Sequence, residues 1–143
     1  MKIEIGSIND VLAIDTQMPE FDGRNTQQKL TQRLSDLPHL ILIAKVDGAL
    51  AGYKLGYQLN EREFYSWLGG VLPQYRQQGI ATALRLYQEA WAKQSGYTSI
   101  QVKSMNRYPN MLRLLISSGY QIIGDEQDES QSDGKILFHK ELD

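Results

Sequence analysis

The stretch "VLPQYRQQGIATAL", residues 71–84, decides the fold. An apolar run ends at Pro73. A polar turn with Arg76, Gln77 and Gln78 follows, and Gly79 opens a pattern at helical spacing. Ile80, Ala83, Leu84, Tyr87, Ala90 and Trp91 share one face of that helix, which Gly96 stops after about Gln94. Strand, polar turn, glycine, helix exposes backbone N–H groups with no helical partner, and the helix dipole adds attraction for an anion. Gly79 lets a bulky anion approach, Ala81 is small, Arg76 brings positive charge and Thr82 a hydroxyl. A triphosphate loop would need Gly-Lys-Ser/Thr, but Ile80 follows Gly79. A dinucleotide fingerprint would need an acidic residue after the next strand, which ends in Lys103 instead.

Outward from this stretch the chain divides readily. Ile3 and Ile5 alternate with polar residues as a first strand. Asn9 or Asp10 caps a helix reaching Met18, and "PEFDGR" (19–24) is a loop. Residues 25–37 form a helix with Leu30, Leu34 and Leu37 at its spacing, ended by Pro38. "HLILIAKV" (39–46) is a strand buried on both faces, and "DGA" (47–49) a hairpin turn. Tyr53, Leu55, Tyr57 and Leu59 mark a third strand. "FYSWLGGVL" (64–72) is a fourth, with glycines where a bulge or a ligand fits. After the long helix come a strand (97–104), a helix from Pro109 to Ser118, and two last strands (120–125 and 135–142). The order is βααβββαβαββ. It is an α+β domain, with a mostly antiparallel seven-stranded sheet and one strand–helix–strand crossover.

One domain is expected of 143 residues. With no cysteine, a thiolate metal site and a cysteine nucleophile are excluded. A net charge of -2 argues against nucleic acid as a partner. The N-terminus does not resemble a signal peptide, and no run reaches the ~20 apolar residues of a membrane span. A soluble cytoplasmic protein without a membrane partner is therefore expected.

Two linked motifs carry a resemblance. "VLP" (71–73) followed by "RQQGIA" (76–81) is similar to the Arg/Gln-x-x-Gly-x-Gly/Ala signature of the GNAT N-acetyltransferase superfamily. "IQVKSMN" (100–106), "NMLRLLISS" (110–118) and "GY" (119–120) resemble its second half. The resemblance spans essentially the whole chain and implies the acyl-CoA N-acyltransferase fold. It implies acetyl-CoA as cosubstrate, with no metal. The backbone N–H groups of Gln77, Gln78, Gly79, Ile80, Ala81 and Thr82 would hold the pyrophosphate beside Arg76. The pantetheine arm would lie where the fourth and fifth strands splay, against Gly69 and Val71. The Val71 N–H would face the thioester oxygen, and Asn106 would touch the cofactor arm. A homodimer is one assembly that the resemblance allows.

The implied reaction is direct attack by a primary amine, of a small molecule or of a protein or peptide, in a ternary complex. An alkylamine titrates near ~10.4 and must lose a proton first. The hydroxyl acid common in the family falls here on Leu115, a departure; Tyr108 is the nearest substitute, as acid or as a loop aromatic. That departure keeps a second reading open, an acyl-CoA-binding sensor or partner-binding module. For the base, alternation puts 63, 65, 67, 69 and 71 on one face. Fully extended, Glu63 stands ~26 Å from Val71, too far to reach, so a water relay to solvent is preferred. His39 and His139 lie in different strands and make neither metal site nor base. Asp125, Glu126, Asp128, Glu129 and Asp133 form an acidic loop, either merely solvated or a field favouring a cationic amine.

Overall fold

The computed structural model describes residues 1–18, 23–126 and 134–143. Along the chain run β1 (Lys2–Ile5), α1 (Ile8–Asp15), α2 (Gln27–Leu34), β2 (His39–Val46), β3 (Ala49–Gln58) and β4 (Glu63–Val71). A 3-10 turn (Pro73–Tyr75), α3 (Ile80–Gln94), β5 (Ser99–Met105), α4 (Pro109–Ser117), β6 (Gln121–Glu126) and β7 (Lys135–Glu141) follow. The strands form one seven-stranded sheet in the order β1-β2-β3-β4-β5-β7-β6. Only β4 and β5 run parallel, joined by the α3 crossover; the other pairs are antiparallel.

The sheet buries both faces, which is why β2 is a nearly continuous apolar run. Leu40, Leu42 and Ala44 face one cluster with Phe64, Ile80, Leu84, Ile100, Leu115 and Phe138. Ile41 and Ile43 face the other, with Val11, Ile14, Leu30, Tyr53 and Leu55. Thus α3 and α4 cover one face, and α1 and α2 the other. Asp47 and Gly48 both take positive φ (51° and 80°), the turn that suits a tight β2–β3 hairpin.

The first helix starts earlier than Asn9 or Asp10. Ser7 is its N-cap, in a reciprocal capping box with Asp10. It also stops at Asp15 rather than Met18. Buried Asp15 accepts hydrogen bonds from the Tyr53 hydroxyl (2.8 Å) and the Asn25 amide (2.7 Å). These tie α1 to β3 and to the approach of α2. Burial, followed by the Asp15 charge, raises the Tyr53 phenol far above its usual range, so Tyr53 stays a donor.

The largest correction concerns β4. Leu55 pairs with Leu68 and Gly56 with Ser66, so Trp67 is an extra residue in a β-bulge. A bulge shifts the alternation by one. Positions 63, 65, 67, 69 and 71 therefore do not share a face. Tyr65, Trp67 and Leu68 pack on the α1/α2 side, whereas Val71 packs on the α3/α4 side.

Candidate functional site

Beyond the bulge the sheet opens. The parallel pairing of β4 with β5 runs only from Glu63 with Ser99 to Ser66 with Val102. Trp67–Val71 and Lys103–Met105 continue without a partner in each other, and a slot lies between them. Its β4 wall can be read from one bond. The Leu72 N–H donates to the Ala51 carbonyl of the neighbouring strand (2.8 Å). Amides alternate in direction along a strand, so those of Val71 and Gly69 turn away from β3, into the slot. Gly69 is exposed there. The Val71 carbonyl is taken by Arg76, whose Nε donates to it at 2.9 Å. Arg76 thus ties the strand end to the turn, besides supplying charge.

The turn itself forms one end of the slot. Gln77 has φ 63° and Gly79 φ 82°, on either side of Gln78. Such a run turns successive N–H groups into one concavity that suits an anion. The first internal bond of α3 runs from the Ala83 N–H to the Gly79 carbonyl (3.0 Å), leaving the N–H groups of Ile80, Ala81 and Thr82 without helical partners. Ile80 is buried and anchors the helix, while 76–79, Ala81 and Thr82 are exposed. A concavity of about 250 Å³ lies over the turn, lined by Val71, Tyr75, Gln77, Gly79, Ala81 and Leu114. No heavy atom lies within 4 Å of where a Cβ on Gly79 would sit. A larger concavity of about 330 Å³, between the end of α3 and β7, includes no slot residue.

The slot's other side faces α1 and α2. There Tyr57 meets Tyr65 and Trp67 edge-on, with ring centroids 5.3 and 5.6 Å apart. The Arg33 guanidinium sits 4.9 Å from the Trp67 ring centroid, and its Nη1 donates to the Tyr57 hydroxyl (3.0 Å). Lys103 lies over the Tyr65 ring and pairs with Glu126 at 3.0 Å. Glu126 of the acidic loop is thereby paired. Residues 127–133 of that loop, and 19–22 of the loop before α2, lie outside the described residues.

The titratable groups on β4 offer no base near neutrality. Glu63 accepts from Asn60 (3.0 Å), Gln101 (2.7 Å) and Ser99 (3.3 Å). The Asn60 and Gln101 bonds, helped by Ser99 and by nearby His139, outweigh burial and hold Glu63 below its usual range. It is a staple at the start of the β4–β5 pair. Burial pushes Tyr65 up to about 12, with Tyr57 adding to the rise and Arg33 opposing it. Tyr108 is exposed at the start of α4 with Arg107 against its ring (5.3 Å to the centroid). Asn106 is exposed in the turn after β5. Leu115 is buried in the core, so no hydroxyl stands there. Among the described residues no cluster of His, Asp or Glu could hold a metal. Nor is any helix among them long and apolar enough to cross a membrane.

The sequence pattern of the acetyltransferase (GNAT) family matches residues 8–115. The chain belongs to the GNAT acetyltransferases. No curated protein matches it. Among solved structures, the GNAT chain superposes on the ribosomal-protein-S18-alanine N-acetyltransferase from Escherichia coli with a TM-score of 0.82 at 14% identity, over 99% of this chain and 93% of that one. It superposes on an aminoglycoside 6'-N-acetyltransferase complexed with coenzyme A with a TM-score of 0.81 at 12% identity, over 100% and 98% of the two chains. A GNAT family acetyltransferase from Elizabethkingia anophelis with acetyl-CoA bound gives 0.78 at 16% identity, over 99% and 97%. At such identities the likeness shows the fold, which agrees with the α+β architecture and element order expected from the sequence.

Sequence reasoning missed three features of this site. The Trp67 bulge leaves no mark in the alternation, because Trp and Leu are both acceptable strand residues. The Arg76 bond to Val71 depends on how the turn folds back. Lys54, described below, looked like an ordinary outward-facing strand residue.

Proposed function

We propose that this GNAT chain is an N-acetyltransferase that moves an acetyl group from acetyl-CoA to a primary amine of a small molecule or a protein or peptide. One observation carries this reading. A slot where β4 and β5 cease to pair ends at a turn whose N–H groups converge on open space. The pyrophosphate would sit on the N–H groups from Gln77 to Thr82, with the pantetheine arm along β4 and Asn106 across from it. The arm would enter from the α3/α4 side, where that turn lies. The amine would approach from the α1/α2 side, past Tyr65 and Trp67.

The chemistry follows from what lines the slot. The amine nitrogen attacks the thioester carbon, and charge grows on the carbonyl oxygen. Val71 N–H, turned into the slot, donates to that oxygen, with Gly69 N–H the neighbouring donor. One such fixed donor is typically worth ~3 kcal/mol in the transition state. The amine's proton passes to water, since Glu63 is held ionised in its own cage and Tyr65 is a weak acid.

The test is a panel of amines assayed for free thiol release from acetyl-CoA, beside calorimetry with coenzyme A. Binding together with turnover of some amine is expected. Absence of coenzyme A binding would overturn the reading. Tight binding with no turnover across the panel would instead favour an acyl-CoA-binding module, the reading that buried Leu115 supports.

A further inference from the structure

Lys54 stands on β3 opposite Gly69, in a pair whose amides point away from each other. In such pairs the side chains come closest, with Cα atoms ~4.5 Å apart. The Lys54 side chain lies directly over the place where Gly69 has none. Its Nζ is 3.9 Å, and its Cγ 3.8 Å, from the point a Cβ on Gly69 would occupy. Gly69 is therefore a window between this ammonium and the slot. Among the described residues Lys54 makes no hydrogen bond or ion pair. A half-buried ammonium with no partner is costly and unusual in a sheet.

We propose that Lys54 is the proton donor to the departing coenzyme A thiolate, in place of the hydroxyl that Leu115 lacks. This rests on the acetyltransferase reading above. The thioester lies against Gly69 and Val71, so its sulfur leaves past the Gly69 window. As the C–N bond forms and the C–S bond breaks, the sulfur keeps the electron pair and takes a proton from Nζ. The acceptor nitrogen, already deprotonated to the neutral amine, gives a second proton to water as the C–N bond forms, which leaves a neutral amide. Solvent then reprotonates neutral Lys54, and the balance closes.

The surroundings suit the role. Burial pushes Lys54 down to about 8, against the attraction of Glu89 and with the help of the Arg85 charge, both on α3. A free thiol titrates near ~8.5, so donor and acceptor are matched. Glu89 is no direct partner. It is engaged by Arg85 (3.0 Å), Tyr120 (2.9 Å) and Lys140 (2.9 Å). Neither Leu42 of β2 nor Gly69 of β4, the cross-strand neighbours, carries a charge.

The experiment compares wild type, Lys54→Met and Lys54→Arg, each shown by thermal melting to be folded. Free coenzyme A is bound to each, and its thiol is titrated by thiolate ultraviolet absorbance. This readout needs no acceptor. The ammonium should stabilise bound thiolate, so the thiol should titrate about one unit higher in Lys54→Met, a tenfold change in its equilibrium. With a working amine, Lys54→Met should lose kcat about 10²-fold with little change in the KM for acetyl-CoA. The alkaline fall of kcat centred near pH 8 should vanish. Lys54→Arg should keep the thiol titration but not the rate. Equal thiol titration in wild type and Lys54→Met, or an unchanged kcat and pH profile, would overturn the proposal. Failure of coenzyme A to bind wild type is a separate result: it removes the acetyltransferase reading, and the role of Lys54 with it.

Discussion

Gly79 holds two constraints at once. Its φ of 82° is a conformation that side chains resist, and the space before it is empty. The two effects can be separated by measurement. Gly79→Ala should cost about 1 kcal/mol through backbone strain, seen as a lower urea midpoint. It should weaken coenzyme A binding by about tenfold or more, because the added methyl pushes the anion off its N–H groups. Binding at wild-type strength would refute the phosphate assignment. Tyr53 tests a different kind of residue. It is one of two donors to the buried carboxylate of Asp15. Tyr53→Phe should destabilise the fold by about 1–3 kcal/mol in urea, because it leaves a buried acceptor short of a partner.

At the scale of elements, β4 has two halves with opposite jobs. The first is pinned to β5 by parallel pairing and by the Glu63 staple. The second diverges and lines the slot. Folded Glu63 titrates below its unfolded value, so its staple contributes stability above the unfolded range. That contribution is lost as pH falls through the folded value. Glu63→Gln should therefore be less stable near neutrality, and its melting temperature should fall less than that of wild type on acidification from about pH 5 to about pH 3. Parallel curves would show that the carboxylate charge does not matter. The same substitution should leave the pH profile of turnover unchanged, since Glu63 is not the base. Element order was legible because each element has its own period or breaker. β2 and α3 keep the bounds read for them. The glycines suggested that a bulge could fit at 69–70, but its place at Trp67 was not legible, because one inserted residue is visible only against the strand it fails to pair with. For that reason the alternation read along β4 put Val71 on the wrong face.

At the scale of the molecule, polar groups interrupt both cores: Asp15, bonded by Tyr53 and Asn25, on the α1/α2 side, and Lys54, Arg85, Gln88 and Glu89 on the α3/α4 side. A half-buried ammonium there works against folding. Lys54→Met should raise the melting temperature at pH 7 by a few degrees. The sign follows from the downward shift. Below about 8 the folded state holds a charge it disfavours. From there up to the ordinary value of 10.5 the unfolded chain binds more protons, so wild-type stability rises with pH. The advantage of methionine should shrink over that interval. A variant that is more stable yet slower would mark Lys54 as kept for chemistry. Nothing in composition or spacing distinguished it from Lys45 or Lys103, each of which has a carboxylate partner. What sets it apart is the absence of one among the described residues, together with the glycine opposite.

The divergence of β4 from β5 also has a meaning for folding and solubility. A sheet seven strands wide carries, in its interior, a length of backbone with the free donors of an edge. Elsewhere such an edge invites another chain to add itself. Here it lies between two packed layers. An occupant that bonds to Gly69 and Val71 would act as an eighth, non-peptide strand. Its arrival should slow amide hydrogen exchange at Trp67–Val71 and at Lys103–Met105 together, knitting the two halves of the sheet into one cooperative unit.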